Sequence, residues 1–176
     1  MSSEGGHDHP PHAGIDTAEH LAEHLGEIVS PSMAVVCVGN ELCGDDAAGT
    51  IVARKLTAKT VPWDVYDTQS VPESFLMKIV ARKPASVVLV DALDFNAEPG
   101  AVELVAANEI GGQGPSTHGP APLAFLEVLQ MMHPCRCAVL GIQPKQVDFG
   151  QAVSKPVAAA VELVASAFEL LARRKS

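Results

Sequence analysis

Apolar and polar positions change their period several times along the chain, and each change marks an element. In DTAEHLAEHLGEIV, residues 16–29, Ala18, Leu21, Ala22, Leu25 and Val29 fall on one side of a helix. Asp16 is placed to N-cap that helix, with Glu19 at the capping-box position. The run MAVVCV predicts a strand near 33–39. A helix near 46–58 follows, with Ala48, Ile51, Val52 and Leu56 as its apolar face. WDVYDTQ reads as a short strand with imperfect alternation. VPESFLMKIVARK reads as a helix, with Pro72 tolerated in its first turn. SVVLVDA, residues 86–92, is continuous and β-branched, the pattern of a strand buried on both faces. GAVELV is another strand, LAFLEVLQMM a helix and RCAVLGIQ a strand. A last helix, VSKPVAAAVELVASAFELLARR, buries Val157, Val161, Val164, Phe168 and Leu171.

Strands alternating with helices predict an α/β fold, a three-layer αβα sandwich with a twisted, mostly parallel sheet of about five strands. No repeat and no second domain is visible. Residues 1–14, polar and rich in Gly, Pro and His, read as a disordered tail. Residues 15–31 form an N-terminal helical extension, and residues 32–176 a single α/β domain.

Composition narrows the function classes. The chain has 176 residues, enough for one proper core, and 47% of them are apolar. A formal net charge of −9 argues against nucleic acid and anionic membrane as partners. No apolar run reaches spanning length, so no membrane insertion is expected. The start, MSSEGGHDHPPH, lacks the basic and apolar blocks of a signal peptide, and a cytoplasmic protein is expected. The four cysteines form no C-x-x-C pair and read as small buried thiols, Cys135 and Cys137 sharing one face of a strand. G-x-S-x-G, P-loop and G-x-G-x-x-G patterns are absent, which lowers the odds of a serine hydrolase, a kinase or a dinucleotide enzyme.

The candidate chemistry lies at the ends of strands. GNELCGDDAAG, residues 39–49, puts Asp45 and Asp46 where a strand gives way to a helix. Glycine-rich turns at such places usually hold an anion, yet this one brings negative charge of its own. In parallel sheets, ligands bind beyond the carboxyl ends of the strands. Asp46 leaves one such end, Asp91 closes SVVLVD at another, and His118 lies in the long loop AANEIGGQGPSTHGPAP before a helix that begins at the same edge. Gathered carboxylates repel unless a proton or a cation joins them, and two carboxylates with an imidazole suit a divalent metal. Each residue also has a plainer role. One of the acid pair is better explained as a helix cap, and Asp91 is served as well by a structural hydrogen bond as by a metal. His118, taken alone, is more often a loop residue contacting backbone. His7, His9 and His12 in the tail, and His20 and His24 on one helix face, fit either metal binding or a solvated segment.

VGNELCGDDAAG, VVLVDALDF, STHGPAPL and GIQPKQVDFG, in this order, resemble the maturation endopeptidases of nickel–iron hydrogenases. The resemblance runs from about Met33 to the end of the last helix. It implies a peptidase domain over 32–176 that clips a C-terminal extension from the hydrogenase large-subunit precursor after nickel insertion, the nickel in the substrate being the recognition signal. It implies Asp46, Asp91 and His118 as the groups that contact this nickel. The residues around them, Gly39, Asn40, Gly44, Asp45 and Thr117, are candidates for substrate binding. Family members often have Gly where Ala47 stands, and the first thirty or so residues lie outside the shared pattern. With no nucleophile motif, Asp46, with Asp91 as a second candidate, is expected to serve as general base for water, an aspartic-type mechanism. A non-catalytic nickel-binding or delivery protein would use the same ligands and remains the alternative.

Overall fold

The computed structural model describes residues 15–107 and 120–174. Among these described residues, five strands form one sheet: β1 (Met33–Cys37), β2 (Asp64–Asp67), β3 (Ser86–Ala92), β4 (Val102–Ala106) and β5 (Arg136–Ile142). Among the same residues, five α-helices accompany them: α1 (Ala18–Ile28), α2 (Ala48–Ala58), α3 (Leu76–Ala81), α4 (Pro120–Met132) and α5 (Lys155–Arg174). The strand order is β2-β1-β3-β5-β4. Every pairing is parallel except β4 with β5, so the expected α/β sandwich with a mostly parallel sheet is what the chain forms.

The two faces of the sheet divide the core. On one, Val35, Cys37, Val88, Val90, Leu140 and Ile142 pack against α1, α2 and α5. On the other, Val36, Val87, Leu89 and Val139 meet Ile79 of α3 and Phe125, Leu126 and Leu129 of α4. β1 and β3 lie inside the sheet with helices on both faces, and every residue from Met33 to Cys37 and from Ser86 to Asp91 is buried, which is why their sequences run apolar without alternation. The apolar stripe of α5 lies on the core as its spacing predicts: Val157, Val161, Val164, Phe168 and Leu171 are all buried. α1 gives Leu21, Ala22 and Leu25 to that same core and packs along α5.

Two local expectations are corrected. The N-cap of α1 is Thr17, not Asp16: its backbone is extended (φ −132°, ψ 153°) and its hydroxyl accepts from the His20 N–H at 3.1 Å. Asp16 instead lies 3.9 Å from the His20 ring. The helix expected from residue 46 begins later, because a single 3-10 turn, Gly44–Ala47, precedes α2, and in the same way the helix expected over VPESFLMKIVARK opens with a 3-10 turn, Pro72–Phe75, before α3. Of the thiols, Cys37 and Cys137 are buried and Cys135 half-buried, with the Sγ atoms of Cys135 and Cys137 3.7 Å apart. Among the described residues, no helix is long and apolar enough to cross a membrane.

α2 lies so near the sheet edge that Gly49 has no room for a side chain. A Cβ there would sit 1.9 Å from the Val38 carbonyl oxygen and 2.8 Å from that of Val90. Both contacts are backbone, so no rotamer change relieves them. Gly49→Ala is expected to destabilise the fold by about 3 kcal/mol or more, read as a lower urea midpoint at unchanged m-value.

Candidate active site

β2 lies to one side of β1 and β3 to the other, so the carboxyl ends of β1 and β3 flank the switch point where open α/β sheets take their ligands. The chain leaving β1 is first pinned to both neighbours. The Val38 N–H donates to the Val90 carbonyl at 2.8 Å, and the Gly39 N–H to that of Gln69 at 3.0 Å. It then folds back on itself. Asn40 N–H donates to the Asp46 carbonyl at 2.9 Å, Asn40 Oδ1 accepts from the Leu42 N–H at 3.0 Å, and Asp46 N–H donates to the Cys43 carbonyl at 3.1 Å. Gly44 adopts φ +56°, and a Cβ there would come within 2.7 Å of the Gln146 carbonyl oxygen. Gly39, Asn40 and Gly44 thus give the turn its shape. Ala47, with φ −70° and ψ −8°, needs no glycine.

The two adjacent acids face different surroundings. Asp45 is wholly buried. Its Oδ2 accepts from the backbone N–H of Lys145 (2.8 Å), the N–H of Gln146 (3.1 Å) and the Ser154 hydroxyl (2.9 Å), and its Oδ1 from the Ser154 N–H (2.6 Å). Burial pushes this carboxyl up, but the donated hydrogen bonds prevail and hold it below the usual 3.8. Asp45 therefore departs from both expectations placed on it. It is committed to the loop between β5 and α5 rather than open to a substrate, and neither acid side chain caps the 3-10 turn or α2.

Asp46 remains half-buried, and burial raises its carboxyl. Asp91 is 7% exposed near the end of β3. Burial, then the charge of Asp46, push it from 3.8 to about 7, against a lowering backbone hydrogen bond. The two carboxylates thus feel each other, and among the described residues neither has an ion-pair partner. A cation would relieve this repulsion, and carboxylate oxygens suit a hard or borderline divalent ion. The other two expected members, His118 and Thr117, lie outside the described residues. Among the described residues no group of three His, Cys, Asp or Glu side chains is arranged to hold a metal.

Several residues at this edge escaped the sequence reading. Asp67 ends β2 as Asp91 nearly ends β3, and the same strand-end rule finds it. Its Oδ1 accepts from the Thr50 hydroxyl at 3.1 Å and from Gln69 Nε2 at 3.0 Å. The thiol of Cys37, at the end of β1, is pushed up by burial and by the charges of Asp67 and Asp91, so both acids converge on that strand end. Gln143 holds the loop after β3: its Oε1 accepts from the N–H groups of Phe95 (2.9 Å) and Ala97 (3.2 Å), and its Nε2 donates to Asp94 Oδ1 at 3.1 Å.

The switch point of this α/β domain thus carries two acids that repel each other and, among the described residues, have no ion-pair partner. The sequence profile of the hydrogenase maturation protease family (HycI) matches residues 51–169. The hydrogenase 3 maturation protease of Escherichia coli (strain K12) is 33% identical over 131 residues, covering 74% of this chain and 84% of that protein. The crystal structure of a [NiFe] hydrogenase maturation protease HycI from Thermococcus kodakarensis KOD1 superposes with a TM-score of 0.75 at 27% identity, covering 84% of this chain and 98% of that one. The solution structure of the endopeptidase HycI from Escherichia coli gives 0.70 at 29% identity, over 82% and 92% of the two chains. The chain belongs to the hydrogenase maturation protease family and is a peptidase of that kind.

Two substitutions separate the roles of the acids. Asp45→Ala strands four donors at a buried site and is expected to cost about 3 kcal/mol or more in chemical denaturation. Asp91→Asn is expected to act the opposite way. A carboxyl whose folded value is raised favours the fold when protonated, and that benefit fades as pH climbs from 3.8 through about 7. Removing the charge therefore stabilises the protein at pH 8, by on the order of 2 kcal/mol, and changes little at pH 4. Denaturation curves at the two pH values check the sign.

Proposed function

We propose that this peptidase removes a C-terminal extension from the nickel-loaded large-subunit precursor of a nickel–iron hydrogenase, and that the nickel in the precursor is what it recognises. The observation that carries this reading is the pair Asp46 and Asp91, close enough to repel and, among the described residues, without an ion-pair partner. Family membership supplies the peptidase chemistry and the class of substrate.

Carboxylates, with the imidazole of His118 as the third contact, hold nickel less tightly than a thiolate cage does. That suits an enzyme that must release a product still carrying its metal. A precursor without nickel leaves the acid pair in a closed interface with only a proton to relieve it, and above about pH 7 docking then costs the burial of unpaired charge. One carboxylate of the pair, Asp46 in the first instance, serves as general base for water while the docked metal region holds the peptide bond in position. In this reading nickel is part of the substrate and not a resident cofactor of the peptidase.

The experiment is incubation of the purified chain with nickel-loaded and nickel-free precursor, followed by mass spectrometry. Shortening of the loaded form alone is expected, and a loaded precursor left whole would instead favour a binding or delivery protein. His118→Ala is expected to lose nickel-loaded processing with its melting curve unchanged; normal processing removes His118 from the site. The acid pair also fixes a pH dependence. Nickel must displace the proton held near Asp91, so KM is expected to fall as pH rises through about 7.

A further inference from the structure

Four large apolar side chains stand in water at the rim that carries the acids. Leu42, in the acid turn, is 61% exposed; Val147 and Phe149, in the β5–α5 loop, are 52% and 77% exposed; Val71, just beyond β2, is 51% exposed. Single exposed apolar residues are ordinary, but four on segments that meet at one edge mark a contact surface.

These segments are fixed in place. The Gly150 N–H donates to the Leu42 carbonyl at 2.7 Å, and Asp45 fastens Lys145, Gln146 and Ser154 beneath the same turn. The Gly39 N–H reaches the Gln69 carbonyl at 3.0 Å, and the Val71 N–H reaches that of Thr68 at 3.1 Å. Both nearby acids in these segments are engaged, Glu41 with Arg54 and Asp148 Oδ2 with Gln151 Nε2 at 3.3 Å, while the Lys145 side chain in the same loop has no partner among the described residues. A surface ordered beforehand loses little entropy when it is covered.

We infer that this apolar rim is the docking surface for an apolar chain segment next to the cleavage site of the nickel-loaded precursor. The inference rests on the reading given under Proposed function. Leu42 shares its turn with Asp46, so a protein that brings nickel to Asp46 and Asp91 covers Leu42 as it arrives. The net charge of −9 and the unpaired acids disfavour an acidic segment, and the four side chains favour an apolar one. Affinity for the polypeptide then comes from the rim, and discrimination for nickel from the acids.

The test is Leu42→Ser combined with Phe149→Ser in the full chain, assayed on the nickel-loaded precursor. KM is expected to rise about tenfold or more with kcat within about twofold, because the contact is made equally in ground and transition states. Phe149→Leu, which keeps the apolar surface, is expected to retain the original KM. If the double variant melts early, Phe149→Ser alone carries the test, with an expected rise of about threefold. An unchanged KM, or a loss confined to kcat, overturns the docking surface and leaves the peptidase reading intact. A loaded precursor left whole by the unmodified chain overturns both. Gel filtration supplies the remaining arm: a dimer that the double variant turns into a monomer means that the rim joins two copies of this chain, which also overturns the proposal.

Discussion

A carboxylate with no exposed surface accepts four hydrogen bonds and ties the acid turn to the loop between β5 and α5. The geometry of the functional rim hangs on that tie. Burying a charge is costly unless every lone pair is answered, and here backbone N–H groups and a hydroxyl answer them. The return contact runs the other way, from the Asp45 N–H to the Gln146 carbonyl at 2.9 Å, with Gly44 bent to φ +56° to permit it. Segments about a hundred residues apart in sequence are thereby locked together, and Asp46 is presented from a rigid frame rather than a loose loop.

The neighbouring acid is treated in the reverse manner. Asp91 is nearly as buried as Asp45, yet burial and the charge of Asp46 raise it to about 7 where hydrogen bonds lower Asp45. Adjacent positions in one turn thus serve opposite ends. Asp45 spends its charge on the fold, and Asp46 leaves its charge against Asp91. A pair kept in this state costs stability at neutral pH, and such costs concentrate where a ligand repays them. The order of the strands makes the pair possible. β1 and β3 are neighbours in the sheet although β2 lies between them in sequence, so residues 46 and 91 meet at the switch point.

Much of this was legible in the residues. An unbroken β-branched run marked β3 as buried, β1 and β5 read as strands, and helical spacing picked out the buried sides of α1 and α5. The strand-end rule brought Asp46 and Asp91 together, and the motifs named the family. The misses have physical causes. Thr17 takes the cap from Asp16 because its hydroxyl is the one that reaches the His20 N–H; Asp16, one residue earlier, has the right chemistry in the wrong place. The role of Asp45 was hidden because its partners are mostly backbone N–H groups, which leave no mark in the residue types of Lys145 and Gln146. Asp67 obeys the same positional rule as Asp91, but β2 is short and only partly buried, so no apolar run marks where the strand stops.

In the reading proposed above, two kinds of surface meet at one rim, and their division of labour follows from range and chemistry. Apolar contact is short-ranged and indifferent to a metal ion, so Leu42, Val71, Val147 and Phe149 have no means of telling a loaded precursor from an empty one. In that reading the acids do, because positive charge relieves their repulsion. Were affinity supplied by the acids alone, the tightest complex would be the one that never lets the metal go. Placing the affinity on an apolar rim allows the acid contact to stay weak and still decide, since a few kcal/mol of unrelieved charge suffices to reject the wrong substrate. The rigid tie at Asp45 serves both, because it fixes the rim and the acid turn in one frame and makes the apolar contact and the charge test a single event.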